Sequence, residues 1–183
     1  MEVKVYSIGH GNKSWERLLE ELNSFSIEYL IDVRSKPYSK WNPHFNREEL
    51  EKACRLAGLT YVFMGDQLGG LPADRSCYNL DNKVLYDRVR EKAFFQSGID
   101  RLKTAVKKKI CVAMMCSEGN PAQCHRSKLV GEELQSLSIP VAHIFEPGKV
   151  KSQVDVMNEI NGGKNSTDLF GHQISLNSRK SYE

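Results

Sequence analysis

The stretch ICVAMM, residues 110–115, is the most apolar run of the chain, and the polar sequence CSEGNP, residues 116–121, follows it directly. An apolar run of this length that ends near glycine and proline is typical of a strand buried on both faces of a parallel sheet. We therefore predict that residues 110–115 form the central strand. The polar residues after it then lie at the carboxyl edge of the sheet, where such sheets bind their ligands.

Strand and helix patterns alternate on both sides of the central strand. Short runs rich in β-branched and aromatic residues predict further strands at 3–8, 29–34, 60–64 and 141–145. Apolar residues at helical spacing predict helices at 15–23, 46–57, 85–109 with a break near 97–98, and 124–137. The alternation predicts a single-domain, Rossmann-like, three-layer α/β/α fold with a mainly parallel sheet of about five strands.

Two helix starts resemble known capping patterns, and two connecting segments look irregular. Ser14 is predicted to cap the first helix, and Asn46 to cap the second in a capping box with Glu49. Residues 35–45 contain two prolines, and residues 66–72 contain two glycines and a proline. Both segments are therefore predicted to be loops without regular structure.

The chain length suits one domain with an appended tail. We assign residues 1–146 of the 183 to the α/β domain and residues 147–183 to a polar C-terminal tail, partly ordered or packed on the domain. The tail is rich in Asn, Ser, Gly and Lys, so we expect it to be loosely ordered, with Leu169 and Phe170 as a docking point.

Composition limits the compartment and the partners. No apolar run reaches the roughly 20 residues that cross a bilayer, and the N-terminus lacks the layout of a signal peptide. The odd number of cysteines, five, indicates reduced thiols. We therefore expect a cytoplasmic protein without a membrane partner. The net charge of +3 permits a small anionic ligand or nucleic acid as the partner, and the oligomeric state stays open.

Polar residues follow four of the predicted strands and should meet at one edge of the sheet. His10 follows the first strand, and Asp32, Arg34 and Ser35 follow the second. The loop at 66–72, with Gly69 and Gly70, follows the third strand. Cys116 and Glu118 follow the central strand, and Cys124, His125 and Arg126 open the next helix. Their convergence predicts a small-ligand or catalytic pocket.

Three of these residues are candidates for catalysis. Glu118 follows a buried strand and suits a general acid, a general base or a nucleophile, although a carboxylate beside glycine also serves as a cap. His10 stands between two glycines and is a candidate acid or base, or else a structural histidine. Cys124 at a helix start would have a lowered pKa, unless it is an ordinary buried cysteine.

Two arginines are predicted to bind an anion. Arg126 would add a bidentate fork to the free N–H groups at the helix start. Arg34, at the end of the second predicted strand, would contact the same anion. Asp32 and Arg34 are expected to point to opposite faces of the strand and not to pair, which leaves Asp32 to accept backbone N–H groups.

The loop at residues 35–45 combines aromatic side chains with lysines. Tyr38 and His44 are candidates for substrate contact, because aromatic rings stack on bases or sugars while Lys36 and Lys40 meet phosphates. A lid that packs over the sheet edge is the alternative.

A metal site is a further alternative. Cys116, Cys124 and His125 offer soft ligands, to which His10 would add a fourth. Their spacing is C-x7-C-H, however, and not the short C-x2-C of zinc modules. No cofactor is therefore predicted, and a transition metal remains an alternative. The chain also lacks the G-x-x-x-x-G-K-[ST] loop of nucleotide hydrolases.

Several short motifs follow one another in a fixed order. They are Ser7-Ile8-Gly9-His10, Asp32-Val33-Arg34 with Pro37 and Ser39, Pro43-His44-Phe45-Asn46, Leu68-Gly69-Gly70, and Cys116-Ser117-Glu118 followed by Cys124-His125-Arg126. Together they resemble the DUF488 family, although Gly11 stands where that family often has serine. The resemblance implies an α/β fold with these motifs in one pocket, and it implies no particular reaction.

Three hypotheses for function follow. The leading one is an enzyme that acts on a phosphate-bearing or glycosidic substrate such as a nucleotide or nucleic acid, with Glu118 as acid/base or nucleophile and Arg34 and Arg126 holding the anion. The substrate would also meet Ser35, Gly69, Gly70, Cys116, His125, Tyr38 and His44. The alternative is a non-catalytic module that binds nucleic acid or nucleotide, and the third is a thiol or metal-binding protein.

Overall fold

The computed structural model describes residues 4–162 and 176–182. The strands within them are β1 (Val5–Gly9), β2 (Tyr29–Asp32), β3 (Thr60–Phe63), β4 (Val112–Cys116), β5 (Val141–Glu146) and β6 (Lys149–Ser152). They form one sheet in the order β3-β2-β4-β1-β5-β6. Strands β1 to β5 pair in parallel, and β6 pairs antiparallel with β5. The prediction of a single-domain α/β protein with a mainly parallel sheet is confirmed.

The strand order differs from the 3-2-1-4-5-6 order of the Rossmann fold, because β4 lies between β2 and β1. All five residues of β4 are buried. The apolar run that predicted a central strand therefore lies inside the sheet, with a parallel neighbour on each side.

The helices alternate with the strands along the chain. In the described residues they are α1 (Trp15–Asn23), α2 (Arg47–Leu56), α3 (Gly65–Leu68), α4 (Tyr86–Arg90), α5 (Ala93–Lys107), α6 (Glu132–Ser136) and α7 (Gln153–Ile160), with a π-helical turn at Arg126–Gly131 that runs into α6. None of them is long and apolar enough to cross a membrane.

Each face of the sheet has its own apolar core, as expected for a three-layer arrangement. On one face, Met115 of β4 packs in a cluster with Leu18 of α1 and Leu50 of α2. On the other face, Met114 packs in a cluster with Ile99 and other apolar residues of α5. Adjacent residues of β4 thus serve opposite layers, because successive side chains of a strand point to opposite faces.

The capping prediction is confirmed for the first helix and wrong for the second. Ser14 Oγ accepts a hydrogen bond from the Arg17 N–H at 3.2 Å. Asn46 stands at the start of α2, but its side-chain oxygen accepts from the Ser39 N–H at 2.7 Å instead of capping the helix. Asn46 therefore anchors the preceding loop.

Two helical predictions need correction. The helix at 85–109 is interrupted between Arg90 and Ala93, and not near 97–98. Gly98 lies inside α5 and allows α3 to approach, since a Cβ there would come within 2.7 Å of Leu68. The loop predicted at 66–72 begins as the short helix α3.

The tail contains more regular structure than the sequence predicted. Residues 149–160 form β6 and α7, in which Gln153 and Val156 are buried. Residues 176–182 return to the domain, where Asn177 bridges to Leu85. The docking point predicted at Leu169 and Phe170 lies outside the described residues.

Candidate functional site

A cleft lies along the carboxyl ends of β1, β2 and β4, the edge at which the sequence predicted a pocket. It has two chambers of about 340 and 450 Å³. Arg34, Lys36, Ser117 and Glu118 line both chambers. We call the smaller one the thiol chamber, because two cysteines line it, and the larger one the loop chamber, because the loop after β2 lines it.

A larger groove of about 730 Å³ lies between β2, β3 and α5. Its base is apolar, with Ile31, Val62 and Met64, and its charged residues, among them Arg101 and Lys108, lie on α5 or at its C-terminal end. The cleft, in contrast, gathers histidine, cysteine, carboxylate and cationic groups from several segments. Convergence of such groups is what catalysis or specific binding requires, so the cleft is the candidate site.

The arginine that lies between the chambers is held by an ion pair. Arg34 donates from Nε to Asp32 Oδ1 at 2.8 Å and from Nη2 to Asp32 Oδ2 at 2.7 Å. The prediction that the two side chains diverge is therefore wrong, because residues two apart lie on the same side of an extended chain. Asp32 also accepts the Arg34 backbone N–H at 3.1 Å, as predicted for a structural carboxylate.

The guanidinium of Arg34 is nearly saturated. Nη2 also donates to the Phe45 carbonyl at 2.8 Å, and Nη1 lies 3.3 Å from His10 Nε2. A guanidinium has five N–H groups. Four of them have partners among the described residues, and one on Nη1 is left for a ligand in the cleft.

His10 is neutral in this arrangement. Its Nδ1 lies 2.8 Å from the Gly11 carbonyl, which can only accept, so Nδ1 carries the proton and Nε2 accepts from Arg34. The ring stacks on buried Phe45 with a centroid separation of 4.4 Å. Burial and the charge of Arg34 lower the pKa of His10 to about 4. We therefore assign His10 to the support of Arg34 and not to proton transfer.

The loop that carries Glu118 is held from below by Arg126. Arg126 is fully buried, and it donates from Nη1 to the Glu118 carbonyl and from Nη2 to the Gly119 carbonyl at 3.0 Å. Gly9 lets the loop pass over β1, because a Cβ there would lie 2.1 Å from the Glu118 oxygen. Arg126 does not line either chamber, so the predicted contact with an anion does not fit its placement.

Glu118 itself is partly exposed and lines both chambers. One carboxylate oxygen lies 3.4 Å from Arg179 Nη2. The other lies 3.5 Å from the Asn120 N–H. The carboxylate is thus within reach of a ligand in either chamber, as the prediction of an acid/base or nucleophile requires.

Cys116, Cys124 and His125 form a group that we call the thiol cluster. Its ligand atoms all lie within 4.8 Å of one another. His125 Nδ1 is 3.8 Å from Cys116 Sγ and 3.7 Å from Cys124 Sγ. The cluster lines the thiol chamber, so the sequence correctly placed these three residues at one edge of the sheet.

The two thiols of the cluster differ in acidity. Burial alone would raise the pKa of Cys124, but the hydrogen bond from Cys116 and the charge of Arg126 outweigh it and lower that pKa to about 6. The same hydrogen bond, together with burial, raises the pKa of Cys116. The Arg126 N–H also points at Cys124 Sγ, at 3.5 Å. Cys116 is therefore the hydrogen-bond donor of the pair, and Cys124 is the acceptor.

The predicted substrate contacts have mixed placements. Tyr38 lines the loop chamber and donates to Glu48 at 2.7 Å, whereas His44 faces outward with Nε2 3.2 Å from the Lys13 carbonyl. Ser35 lines the thiol chamber, and its hydroxyl accepts the Leu71 N–H at 2.9 Å.

The two glycines of the third loop serve close packing. Gly69 does not line the cleft; a Cβ there would lie 2.1 Å from the Gly65 carbonyl oxygen. Gly70 lines the thiol chamber, and a Cβ there would lie 2.8 Å from the ring of His125. The absence of a Cβ at Gly70 therefore leaves room for that ring beside the thiols.

The sequence reasoning missed the contribution of the tail. Arg179, Lys180 and Tyr182 line the thiol chamber together with residues that follow β2 and with Cys116 of β4. The Ser178 N–H donates to the Val84 carbonyl at 2.9 Å, and the Tyr182 N–H donates to the Asn82 carbonyl at 2.8 Å. No spacing rule connects these residues to the strand ends, and the adjacent Arg and Lys were the only available sign of an anion-binding role.

One of the comparisons with known proteins confirms the resemblance to the DUF488 family. The model of a family described as "Domain of unknown function DUF488" matches residues 14–132, which is more than half of the chain. Neither the curated proteins nor the solved structures include a match.

Proposed function

The chain belongs to the DUF488 family, and from the cleft we propose that it is a cytoplasmic enzyme acting on a phosphate-bearing substrate, a nucleotide or a nucleic acid. Glu118 is the acid/base group of this proposal. The observation that carries it is the position of one partly exposed carboxylate between two chambers that are also lined by lysine and arginine side chains, Arg34, Lys36, Arg179 and Lys180.

The cations suit a phosphate group. Lys36, Arg179 and Lys180 are exposed side chains at the cleft, and Arg34 offers one remaining N–H from a fixed position. Arginine and lysine at the mouth of a cleft raise the local concentration of an anion and lower the cost of bringing it beside a carboxylate. Free thiols at all five cysteines fit a reducing compartment.

Glu118 is well placed for proton transfer to and from a bound substrate. As a general base it would take a proton from water that attacks phosphorus or an anomeric carbon, and as a general acid it would return a proton to the leaving oxygen. Arg126 and Gly9 act as positioning residues, because they set the height of the Glu118 backbone over β1.

A thermal-shift screen tests binding without knowledge of the reaction. The panel holds nucleosides, nucleotides, sugar phosphates and short oligonucleotides, because a ligand that binds only the folded state raises the midpoint of unfolding. We expect phosphate-bearing compounds to raise it in the wild type and less so in Lys36→Ala. Lys52→Ala, which removes the same charge from an exposed position of α2, is the control and should respond like the wild type.

Substitution of Glu118 tests the reaction itself. With a compound from the screen, Glu118→Gln should keep binding and lose turnover by roughly 100-fold or more, the usual contribution of a general acid or base. Glu51→Gln removes an exposed carboxylate of α2, outside the cleft, and is the matched control. Equal turnover in Glu118→Gln and the wild type would rule out the assigned role.

Nucleic-acid binding without turnover is the second candidate, and the loop after β2 favours it. Trp41 is 90% exposed and Tyr38 is 65% exposed, with Lys36 and Lys40 beside them. Exposed rings between lysines are the arrangement with which proteins stack on single-stranded bases. Salt-sensitive binding of oligonucleotides that is weakened by Trp41→Ala, without any change in the oligonucleotide, would favour this candidate.

A further inference from the structure

We propose that Cys116, Cys124 and His125 bind one transition-metal ion of the zinc type, with an open coordination position that faces the thiol chamber. This proposal goes beyond the enzyme assignment and stands without it, since metal binding requires no particular substrate. Three features of the cluster support it: the orientation of the imidazole, the distances between the ligand atoms, and the position of the cluster in the cleft.

The orientation of His125 is the one that metal-binding histidines adopt. Its Nε2 lies 3.0 Å from the Val33 carbonyl, which can only accept, so Nε2 carries the proton. The lone pair of a neutral ring is then on Nδ1, the atom that faces both sulfurs. Histidines that bind metals almost always donate their other N–H to a carbonyl or carboxylate in this way.

The distances agree with a tetrahedral ion. Zinc bonds of about 2.3 Å to sulfur and about 2.0–2.1 Å to nitrogen place a sulfur and a nitrogen about 3.6 Å apart at a tetrahedral angle. The observed separations from Nδ1 are 3.8 Å to Cys116 Sγ and 3.7 Å to Cys124 Sγ. The two sulfurs lie within 4.8 Å of each other, and a tetrahedral ion would draw them to about 3.8 Å, so the cluster must contract around the ion.

The surroundings of the cluster favour a soft ion with an exchangeable ligand. Two thiolates and one imidazole select zinc over magnesium or calcium, which prefer oxygen ligands. Three protein ligands with a free position are the composition of catalytic zinc sites. All three residues line the thiol chamber, as does Glu118, so the free position opens towards the proposed acid/base group.

The first test measures metal in the full chain, purified under reducing conditions without a polyhistidine tag. We expect about one zinc per chain in the wild type by elemental analysis. After chelation, cobalt should be taken up in the same proportion and should give the near-ultraviolet absorption that is typical of sulfur bound to cobalt. A folded wild type that takes up neither ion from a titration with the metal salts overturns the proposal.

Single substitutions identify the ligands. Cys116→Ser, Cys124→Ser and His125→Ala should each reduce zinc retention at least tenfold and weaken the cobalt spectrum. Cys111→Ser and His44→Ala replace the same residue types outside the cluster and should retain zinc as the wild type does. Circular dichroism of every variant separates loss of metal from loss of fold, and the wild-type cobalt titration remains decisive if a variant does not fold.

The result also separates the two proposals. A chain that holds one zinc but shows no turnover with any phosphate-bearing compound supports the metal site and contradicts the enzyme assignment. A metal-free chain that turns over a substrate through Glu118 supports the enzyme assignment and contradicts the metal site. In that case the thiol cluster is a hydrogen-bonded pair of cysteines beside a histidine.

Discussion

Two histidines, the buried His143 and the half-buried His125, lie in networks whose hydrogen-bond partners differ. His143 belongs to what we call the closed network: its Nδ1 lies 2.6 Å from Ser7 Oγ, and its Nε2 lies 2.8 Å from Gln153 Oε1. His125 belongs to the thiol cluster, where Nε2 meets a carbonyl and Nδ1 meets only sulfurs. Both rings are held by one strong acceptor, but only the second faces a cleft.

The closed network has a partner for each donor and acceptor that it contains. The Gln153 amide N–H groups donate to the Ser127 carbonyl at 3.1 Å and to Glu132 at 2.9 Å, which turns its oxygen towards His143. His143 therefore donates from Nε2, and Nδ1 accepts the Ser7 hydroxyl. Saturated networks of this kind fasten elements together. In the thiol cluster, by contrast, the sulfur partners are weak and leave the lone pair of His125 Nδ1 for a stronger ligand.

The largest effect should come from opening the closed network. His143→Leu removes the central ring and leaves the Ser7 hydroxyl and the Gln153 oxygen buried without their partner. We expect unfolding in urea to require about 3 kcal/mol less free energy, the cost of orphaning buried polar groups. His44→Leu, at an exposed ring, should change stability by less than about 0.5 kcal/mol. Equal losses in both variants would contradict the comparison.

Lowering the pH should also reduce the stability of the protein through the closed network. Burial, together with the charge of Arg126, lowers the pKa of His143 to about 4, below the 6.5 of an exposed histidine. Its contribution to stability is complete above pH 6.5 and is lost as the pH falls towards 4, because the unfolded chain binds the proton first. The full loss is about 3 kcal/mol at 1.36 kcal/mol per pKa unit.

Urea unfolding of the wild type and His143→Gln between these pH values measures this loss. His10 also has a pKa of about 4, but it is present in both proteins and cancels in the difference. The stability of His143→Gln should therefore fall less steeply with acid. Parallel curves for the two proteins would exclude His143 as the source.

An intermediate effect should follow from crowding the loop of Glu118. Gly9→Ala places a Cβ 2.1 Å from the Glu118 carbonyl oxygen and 2.9 Å from Arg126 Nη1, and both are held in place. We expect a loss of about 1–3 kcal/mol, typical of overpacking. Gly119→Ala in the same loop is the control, because the nearest atom to its Cβ is 4.0 Å away. Unfolding in urea distinguishes them.

The smallest effect on stability should come from the thiol cluster. In metal-free protein, His125→Ala leaves the Val33 carbonyl without its donor and removes two weak contacts with sulfur, and the adjacent cleft can admit water in their place. We expect a change of about 1 kcal/mol or less in the free energy of unfolding. A loss as large as that of His143→Leu would show that the cluster is a structural network, like the closed one.

The sequence predicted the architecture because apolar periodicity reports directly on burial. The run at 110–115 lies inside the sheet, and the strand ends bring Arg34, Glu118 and the thiol cluster to one cleft. The partners of these side chains could not be predicted in the same way. Arg126 was predicted to contact an anion, but it is buried and donates from Nη1 and Nη2 to two carbonyls, which depends on the path of the loop at residues 117–120.

Other differences have physical causes of the same kind. Gly98 looked like a helix breaker, but it remains helical because α3 packs against it. The tail was expected to be loosely ordered, partly ordered or packed on the domain, but its contribution to the cleft was not predicted; its backbone bonds to residues 82–86 bring Arg179 there. Asp32 and Arg34 required only the two-residue period of an extended chain, so their pairing was within reach of the sequence.

The order of strands also constrains how the chain is made on the ribosome. β1 leaves the exit tunnel first, but its neighbours in the sheet are β4 and β5; Tyr6 lies opposite Ala113 and Ala142. Because contacts between distant residues form slowly, β1 must wait without a partner while most of the chain is translated. We expect β2 and β3, which are close in sequence, to pair first, and nascent chains cut short before β5 to depend on chaperones for solubility.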